Sequence, residues 1–258
     1  MFSDKIRLRV SNFVKKILEN DALAFGFDRC DFQPNWNKLL NKLIPLLVAE
    51  KKSRRQKITD ALEEIMQRTP SKEVKEIIGQ VNSLYERLFF DDPELRKITE
   101  YIWLRPSKEN ETLFDEIADS ETEITSTTIA FYIRDLLNEY SRLPQYRRER
   151  LLFSNERNII QTAKETKQIL AFRYSGESYK VFVIEELYTY LYEQANYVIC
   201  YDIEHKCIRS FCLCFMTNLY LQKRKHHPTA LQKKMAQLYM DHYGWPKGEI
   251  LEVIENEE

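Results

Sequence analysis

The stretch KIRLRVSN, residues 5–12, decides how the chain begins to fold. In an extended strand, successive side chains point to opposite faces. The apolar side chains here alternate with the cationic ones, Ile6, Leu8 and Val10 against Lys5, Arg7 and Arg9. Like charges in a row repel, and an unpaired strand leaves its backbone groups open. The stretch therefore predicts a short strand that needs a partner, with one apolar and one cationic face.

A second stretch, YIWLRPSKEN at residues 101–110, can be aligned with the first. Ile102 falls on Ile6, and Leu104 falls on Leu8. Helical spacing of apolar residues follows each stretch, with Ser11 predicted as the N-cap of the first helix. The sequence thus predicts two strand–helix–helix units in one chain, with further helices between them over residues 48–97. Pro45 lies in the second predicted helix and is expected to kink or shorten it.

Composition limits the class of protein. The 258 residues are 43% hydrophobic and 31% charged, which is typical of a soluble globular protein. The sequence has neither an apolar run of about 20 residues, as a membrane helix requires, nor the pattern of a signal peptide. The five cysteines are an odd count and are interpreted as reduced, so we expect a cytoplasmic protein without a membrane partner.

Charge is distributed unevenly along the chain. Residues 1–57 carry 13 Lys+Arg and 6 Asp+Glu, whereas residues 58–130 carry 8 and 17. A basic segment of this kind is often only a solvated face, but it also suits a polyanionic partner. Nucleic acid is therefore the predicted partner of the N-terminal end.

From Ile169 onward the pattern changes to short runs rich in β-branched and aromatic residues, with a Ser-Gly turn. These runs predict a small, strongly curved β-domain, either a barrel or a sandwich. A final helix capped by Thr229 and an acidic tail follow. The fold class is therefore α+β, with a mostly helical first half.

Metal and catalytic chemistry find little support in the spacing of the candidate residues. The metal-capable side chains of the C-terminal half are His205, Cys207, Cys212, Cys214, His226 and His227. Zinc sites favour two residues between paired cysteines, so we interpret these cysteines as small buried hydrophobes. No local signature of a nucleophile with its base is present, and with five glycines there is no phosphate-binding loop. We expect a protein that is not an enzyme, with no metal and no cofactor.

The N-terminal pattern resembles the ribbon-helix-helix family. In that family two strands pair antiparallel and lie in the major groove of DNA. The resemblance implies an internal pseudo-dimer whose nucleic-acid-binding face consists of Lys5, Arg7, Arg9, Tyr101, Trp103 and Arg105. It also implies phosphate binding by helix N-termini near Asn37 and near residues 126–128. The aromatic residues suit stacking on single strands or RNA better than duplex reading, unless Tyr101 and Trp103 simply pack under the intervening helices.

The β-rich part resembles the WYL domain, an Sm-like or SH3-like β-barrel of bacterial regulators that senses ligands or oligomerises. The stretches AFRY, NYVICYD and RSFCLCFM carry this resemblance. It implies a pocket at Arg173, Tyr174, Tyr197 and Arg209. The family's tryptophan is replaced by Asn196, and two of its later arginines by Cys212 and Phe215, so the barrel here is expected to act mainly as a scaffold or dimer surface.

These observations predict three regions: a ribbon-helix-helix pseudo-dimer over residues 1–150, a WYL-like barrel over 151–225, and a C-terminal helix with its tail over 226–258. The predicted function is a non-enzymatic nucleic-acid-binding regulator, most simply a transcriptional regulator that binds duplex DNA. The alternative is an accessory protein that binds single-stranded RNA and modulates an RNA-targeting CRISPR effector. A homodimer through the WYL half is the other predicted association.

Overall fold

The computed structural model describes residues 5–29, 33–68, 76, 98–116, 129–190, 195–239 and 251–252. The chain divides into two compact units, Met1–Leu143 and Pro144–Glu258. The sequence placed this boundary a few residues later, after residue 150. The predicted mixture of helices and antiparallel sheets is confirmed.

Among the described residues, the first unit contains two strands and three long helices. They are β1 (Ile6–Ser11), α1 (Asn12–Ala24), α2 (Trp36–Arg68), β2 (Ile98–Leu104) and α3 (Ile129–Ser141). A short 3-10 turn, Lys108–Asn110, leads into a helical stretch over residues 111–116. Each strand is therefore followed by helical structure, in the order that the sequence predicts.

β1 and β2 pair antiparallel within the one chain, as the alignment of the two stretches predicts. Ile6 lies opposite Leu104, and Leu8 lies opposite Ile102. Because the alignment equates Ile6 with Ile102 and Leu8 with Leu104, this register is symmetric. The two strands are thus related by a pseudo-twofold axis that passes between Arg7 and Trp103.

The apolar face of the strand pair forms part of the core of the first unit. Leu8, Val10 and Leu104 are fully buried, and Ile6 and Ile102 are nearly so. Helix α1 begins as predicted, because the Ser11 side chain accepts a hydrogen bond from the Val14 amide at 3.2 Å.

Of the two predicted effects of Pro45, a kink or a shorter helix, the shortening is wrong, since the 33-residue helix α2 continues through Pro45. Proline removes one helical hydrogen bond and costs about 3 kcal/mol in a helix interior. Here the residues around it are an apolar stripe whose members are buried, Leu39, Leu40, Leu43, Ile44 and Leu47. Burial of about 1.5–3 kcal/mol per large aliphatic side chain outweighs the cost of the proline.

A buried polar contact links two helices of this unit. The Tyr140 hydroxyl on α3 donates a hydrogen bond to Oδ2 of Asp21 on α1, at 2.7 Å, and both residues are fully buried. A buried carboxylate depends on such donors, because it has lost its hydration.

In the second unit, the described ranges contain three helices and six strands. They are α4 (Gln145–Leu152), α5 (Ser154–Thr166), β3 (Gln168–Tyr174), β4 (Glu177–Tyr190), β5 (Ala195–Asp202), β6 (Cys207–Cys212), β7 (Met216–Lys225), α6 (Ala230–Leu238) and β8 (Leu251–Glu252). The predicted Ser175-Gly176 turn joins β3 to β4, with both residues at positive φ. Thr229 caps α6 as predicted, in a reciprocal pair of hydrogen bonds with Gln232.

The six strands form an open antiparallel sheet, in the order β7-β3-β4-β5-β6-β8. The prediction of a closed barrel is therefore corrected for the described part of the chain. The two edge strands are β7 and β8, and β8 pairs with the outer edge of β6, with Leu251 opposite Ile208. One face of the sheet packs against α6 through a cluster that includes Phe182, Ile199 and Tyr239.

Within the described ranges, none of the helices combines the length and the apolar character needed to cross a membrane.

The Tyr140–Asp21 contact predicts the effect of a conservative substitution. Tyr140→Phe removes one hydroxyl and should lower the free energy of unfolding by about 1–3 kcal/mol, because Asp21 loses a donor inside the core. Urea denaturation followed by circular dichroism measures this change. Tyr220→Phe, at a tyrosine that is 58% exposed, is the matched control and should change stability by less than about 0.5 kcal/mol. Equal stabilities of the two variants would contradict the importance assigned to the contact.

Candidate nucleic-acid interface

The outward face of the strand pair brings together cationic and aromatic side chains from both stretches. The Arg7 guanidinium lies 3.8 Å from the centre of the Tyr101 ring and 5.8 Å from that of Trp103. Arg9 lies 5.9 Å from the Tyr101 ring. These distances are in the range of cation–π attraction. We call Arg7, Arg9, Tyr101 and Trp103 the ribbon face.

The aromatic members of the ribbon face are open to solvent. Tyr101 is 45% exposed and Trp103 is 54% exposed. The alternative, in which the two rings pack beneath the intervening helices, involves residues 69–97, nearly all of which lie outside the described residues. An exposed ring held by a neighbouring guanidinium has a fixed orientation and a free surface, which is the arrangement that base stacking requires.

The other two predicted residues lie at the ends of this surface. Lys5 and Arg105 are both exposed. The backbone of Arg105 is fixed by α2, since its N–H donates to Asn37 Oδ1 at 2.8 Å and its carbonyl accepts from Asn41 Nδ2 at 2.9 Å. Asn41 Oδ1 also accepts from the Ser107 amide at 2.7 Å. The start of α2 therefore positions the segment that follows β2.

The same contacts occupy part of the first phosphate site that the ribbon-helix-helix resemblance implied, the N-terminus of α2 near Asn37. The Asn37 side chain is engaged by Arg105, and the Lys38 amide donates to Asn35 Oδ1 at 3.1 Å. The first turn of α2 thus already has protein partners for part of its hydrogen-bonding groups. The second implied phosphate site, residues 126–128, lies outside the described residues.

An ion pair joins β2 to helix α1 on the helix-facing side of the strand pair. Lys15 Nζ lies 2.9 Å from Oε2 of Glu100, and the hydrogen bond between them raises the pKa of Lys15. Glu100 is opposite Val10 in the register. The ion pair therefore lies on the side of the ribbon opposite to Arg7 and Arg9.

The four predicted pocket residues of the second unit do not share one face of the sheet. From strand alternation, Tyr174 and Arg209 project from the face that carries Phe211, whereas Arg173 and Tyr197 project from the other. Arg173 is exposed and donates to the Gly176 carbonyl at 3.3 Å. The pocket implied by the family resemblance is therefore divided between two sides.

Arg209 has an ionic partner inside the protein. Its Nε lies 3.3 Å from Oδ2 of Asp202, a residue that is 1% exposed. The same carboxylate contacts His205 Nδ1 at 2.9 Å and accepts hydrogen bonds from the amides of Glu204 and His205. Arg209 thus compensates a buried negative charge, which reduces the charge that it offers to an external anion.

Tyr174 lies against an aromatic group on the same face. Its ring packs edge-on against Phe211, with centroids 5.2 Å apart, and its hydroxyl accepts a hydrogen bond from the Cys212 amide at 3.4 Å. Burial raises its pKa to about 12. The phenol therefore stays neutral under physiological conditions and contributes packing and one hydrogen bond.

Asn196, at the position of the family's tryptophan, has a role that the sequence did not reveal. It is fully buried. Its side chain accepts from Arg150 Nε at 2.7 Å and donates to the Tyr146 carbonyl and to Glu149 Oε2. Asn196 thus fastens α4 to β5. The partners lie almost fifty residues upstream, and no local pattern marks them.

Comparison with known proteins gives a likeness of fold. No family model matches the chain, and no curated protein matches it significantly. A solved structure described as the crystal structure of a CRISPR Cas-related protein matches with a TM-score of 0.63 at 14% sequence identity. The match covers 91% of this chain and 66% of that one. The two chains therefore share a fold, and this chain spans just under two thirds of the length of its structural neighbour.

The Asp202–Arg209 pair predicts that Arg209 acts mainly on stability. Arg209→Ala should lower the free energy of unfolding by about 1–3 kcal/mol, because it leaves a buried carboxylate without its guanidinium. Thermal and urea unfolding measure the effect, with the exposed Arg173→Ala as control. Loss of nucleic-acid binding by a folded Arg209→Ala protein of unchanged stability would contradict this assignment.

Proposed function

We propose that this protein is a non-enzymatic nucleic-acid-binding regulator that works with a CRISPR system and holds single-stranded RNA on its ribbon face. The observation that carries the proposal is the exposed stack of Arg7 on Tyr101 beside Trp103. Base–aromatic stacking contributes about 1–3 kcal/mol per base in single-strand binders, and arginine adds cation–π attraction and phosphate contacts.

The composition of the ribbon face favours a single strand. Specific reading of duplex DNA relies on side chains that donate or accept hydrogen bonds at base edges, such as a bidentate arginine on guanine. Here the centre of the ribbon pairs Arg7 with Trp103, and two of the four residues of the ribbon face are aromatic. Aromatic planes match unstacked bases, which a single strand offers and a duplex does not.

The CRISPR context rests on the structural neighbour. That neighbour is described as a CRISPR Cas-related protein, and the likeness extends over 91% of this chain. In this proposal the protein is an accessory of an RNA-targeting effector, to which it delivers or orients RNA.

A second candidate function is that of a transcriptional regulator that binds duplex DNA. It is favoured by the antiparallel strand pair with its pseudo-twofold register, which is the shape that a two-stranded ribbon presents to the major groove. In both candidates the WYL-like unit serves as a scaffold or homodimer surface, and no catalytic step is assigned.

The two candidates are separated by a direct comparison of ligands. The purified full-length protein is titrated with single-stranded RNA, single-stranded DNA and duplex DNA of equal length at one salt concentration, and then over a salt series. The proposal expects the tightest binding to single-stranded RNA. Tightest binding to a duplex would favour the transcriptional regulator, and no binding to any of the three would overturn both.

Removal of the two central arginines tests the surface itself. Arg7→Ala combined with Arg9→Ala should weaken single-strand binding by about 1–3 kcal/mol and reduce the salt dependence, because phosphate contacts and ring orientation are lost together. Fluorescence anisotropy with a labelled RNA measures both effects. The double variant Lys233→Ala and Lys234→Ala changes the net charge equally at exposed positions on α6 and should bind like the unmodified protein. Equal loss in both variants would indicate a general charge effect instead of a site.

A further inference from the structure

Three buried side chains of the second unit converge on one point. They are Glu149 on α4, Cys212 at the end of β6, and Cys214 in the 3-10 turn Leu213–Phe215 that follows. Their ligand atoms, one carboxylate oxygen and two sulfurs, all lie within 4.8 Å of one another. The two sulfurs are 3.3 Å apart, and Cys212 Sγ is 3.8 Å from Glu149 Oε1. We call this group the dithiol–carboxylate cluster.

The backbone accounts for the proximity of the two cysteines. In a continuing strand, residues two apart lie on the same face but are separated by two residue rises of about 3.3 Å each. The chain leaves the strand conformation after Cys212 and enters the 3-10 turn, which brings Cys214 back toward it. The spacing of one residue therefore argues against a metal site only for a regular strand, and this segment is not one.

The two oxygens of Glu149 have different surroundings. Oε2 accepts hydrogen bonds from the backbone amide of Asn196, at 2.8 Å, and from its side-chain amide. Oε1 faces the sulfurs and accepts from the Cys214 amide at 3.2 Å. Asn196 thus holds Oε2, while Oε1 is the oxygen that faces the thiols. Carboxylates that bind metals are oriented by outer hydrogen bonds in this way.

From this geometry we propose that Glu149, Cys212 and Cys214 bind one zinc ion. Ligands at about 2.0–2.3 Å from one ion lie within about 4.6 Å of each other. The distance between the two sulfurs and that between Cys212 Sγ and Glu149 Oε1 satisfy this limit. Two sulfurs and one oxygen form a donor set that suits zinc and excludes calcium and magnesium, which prefer oxygen alone. The fourth position is left for solvent or a small ligand.

The burial of the dithiol–carboxylate cluster favours a bound cation. Glu149 is fully buried, and Cys212 and Cys214 are 6% and 9% exposed. Charged forms of these groups are therefore costly without a counter-charge, which a divalent cation provides. Zinc would displace the thiol protons to solvent and connect α4 to the turn after β6.

The test uses full-length protein that has been reduced and stripped of metal with a chelator. It is titrated with Co²⁺ and then with Zn²⁺. We expect one equivalent of Co²⁺ to give an intense near-ultraviolet absorption from cobalt–thiolate bonds, and Zn²⁺ to abolish it. Metal analysis after gel filtration should find one zinc per chain.

Variants connect the signal to the cluster. Cys212→Ser combined with Cys214→Ser should lose the thiolate absorption and the bound zinc, whereas Glu149→Gln should keep part of the absorption and bind zinc roughly tenfold or more weakly. Cys200→Ala removes a buried thiol outside the cluster and should retain the site. The proposal is overturned if the unmodified protein takes up no metal, if the double variant binds as much as the unmodified protein, or if a Cys212–Cys214 disulfide is isolated and its reduction yields no metal uptake.

Discussion

The antiparallel pairing of β1 with β2 is the constraint on which the first unit depends. Neither strand is stable alone, since each has one apolar face and unpaired backbone groups. Pairing in the symmetric register buries Ile6, Leu8, Ile102 and Leu104 together and supplies the core against which the helices pack. The same register leaves the other face outward, so the position of Arg7 and Arg9 beside Tyr101 and Trp103 follows from the fold. The ribbon face and the apolar face buried in the core thus both follow from the hydrogen bonds between β1 and β2.

Local patterns predicted those parts of the structure that depend on neighbouring residues. The alternation in residues 5–10, the caps at Ser11 and Thr229 and the turn at Gly176 are encoded within a few positions. The strand pairing was also predictable, because the second stretch repeats the pattern of apolar residues of the first. The sequence did not predict that α2 continues through Pro45, since the compensating burial is tertiary. It also did not predict the open sheet, because β8 occupies the edge of β6.

The polar contacts of the second unit could not be predicted from local sequence patterns, because they too depend on tertiary structure. Arg209 was interpreted as an anion-binding residue, but Asp202 at the preceding hairpin pairs with it. Asn196 looked like the loss of a family tryptophan, yet it holds Glu149 in place and thereby orients the dithiol–carboxylate cluster. Such contacts join residues far apart in sequence, and only the assembled sheet brings them together. Where the second unit differs from the WYL pattern at Asn196, the substituted side chain therefore has hydrogen-bond partners of its own.

The central claim is that the ribbon face holds a single strand of RNA. Ultraviolet cross-linking of the full-length protein to a uridine-only RNA, followed by mass spectrometry of the digested adduct, tests it most directly, because zero-length cross-links form only between stacked or touching groups. The account predicts adducts in the peptide that contains Tyr101 and Trp103, and their loss in the presence of excess unlabelled RNA. Adducts confined to residues 144–258, with none on the β2 peptide, would contradict it.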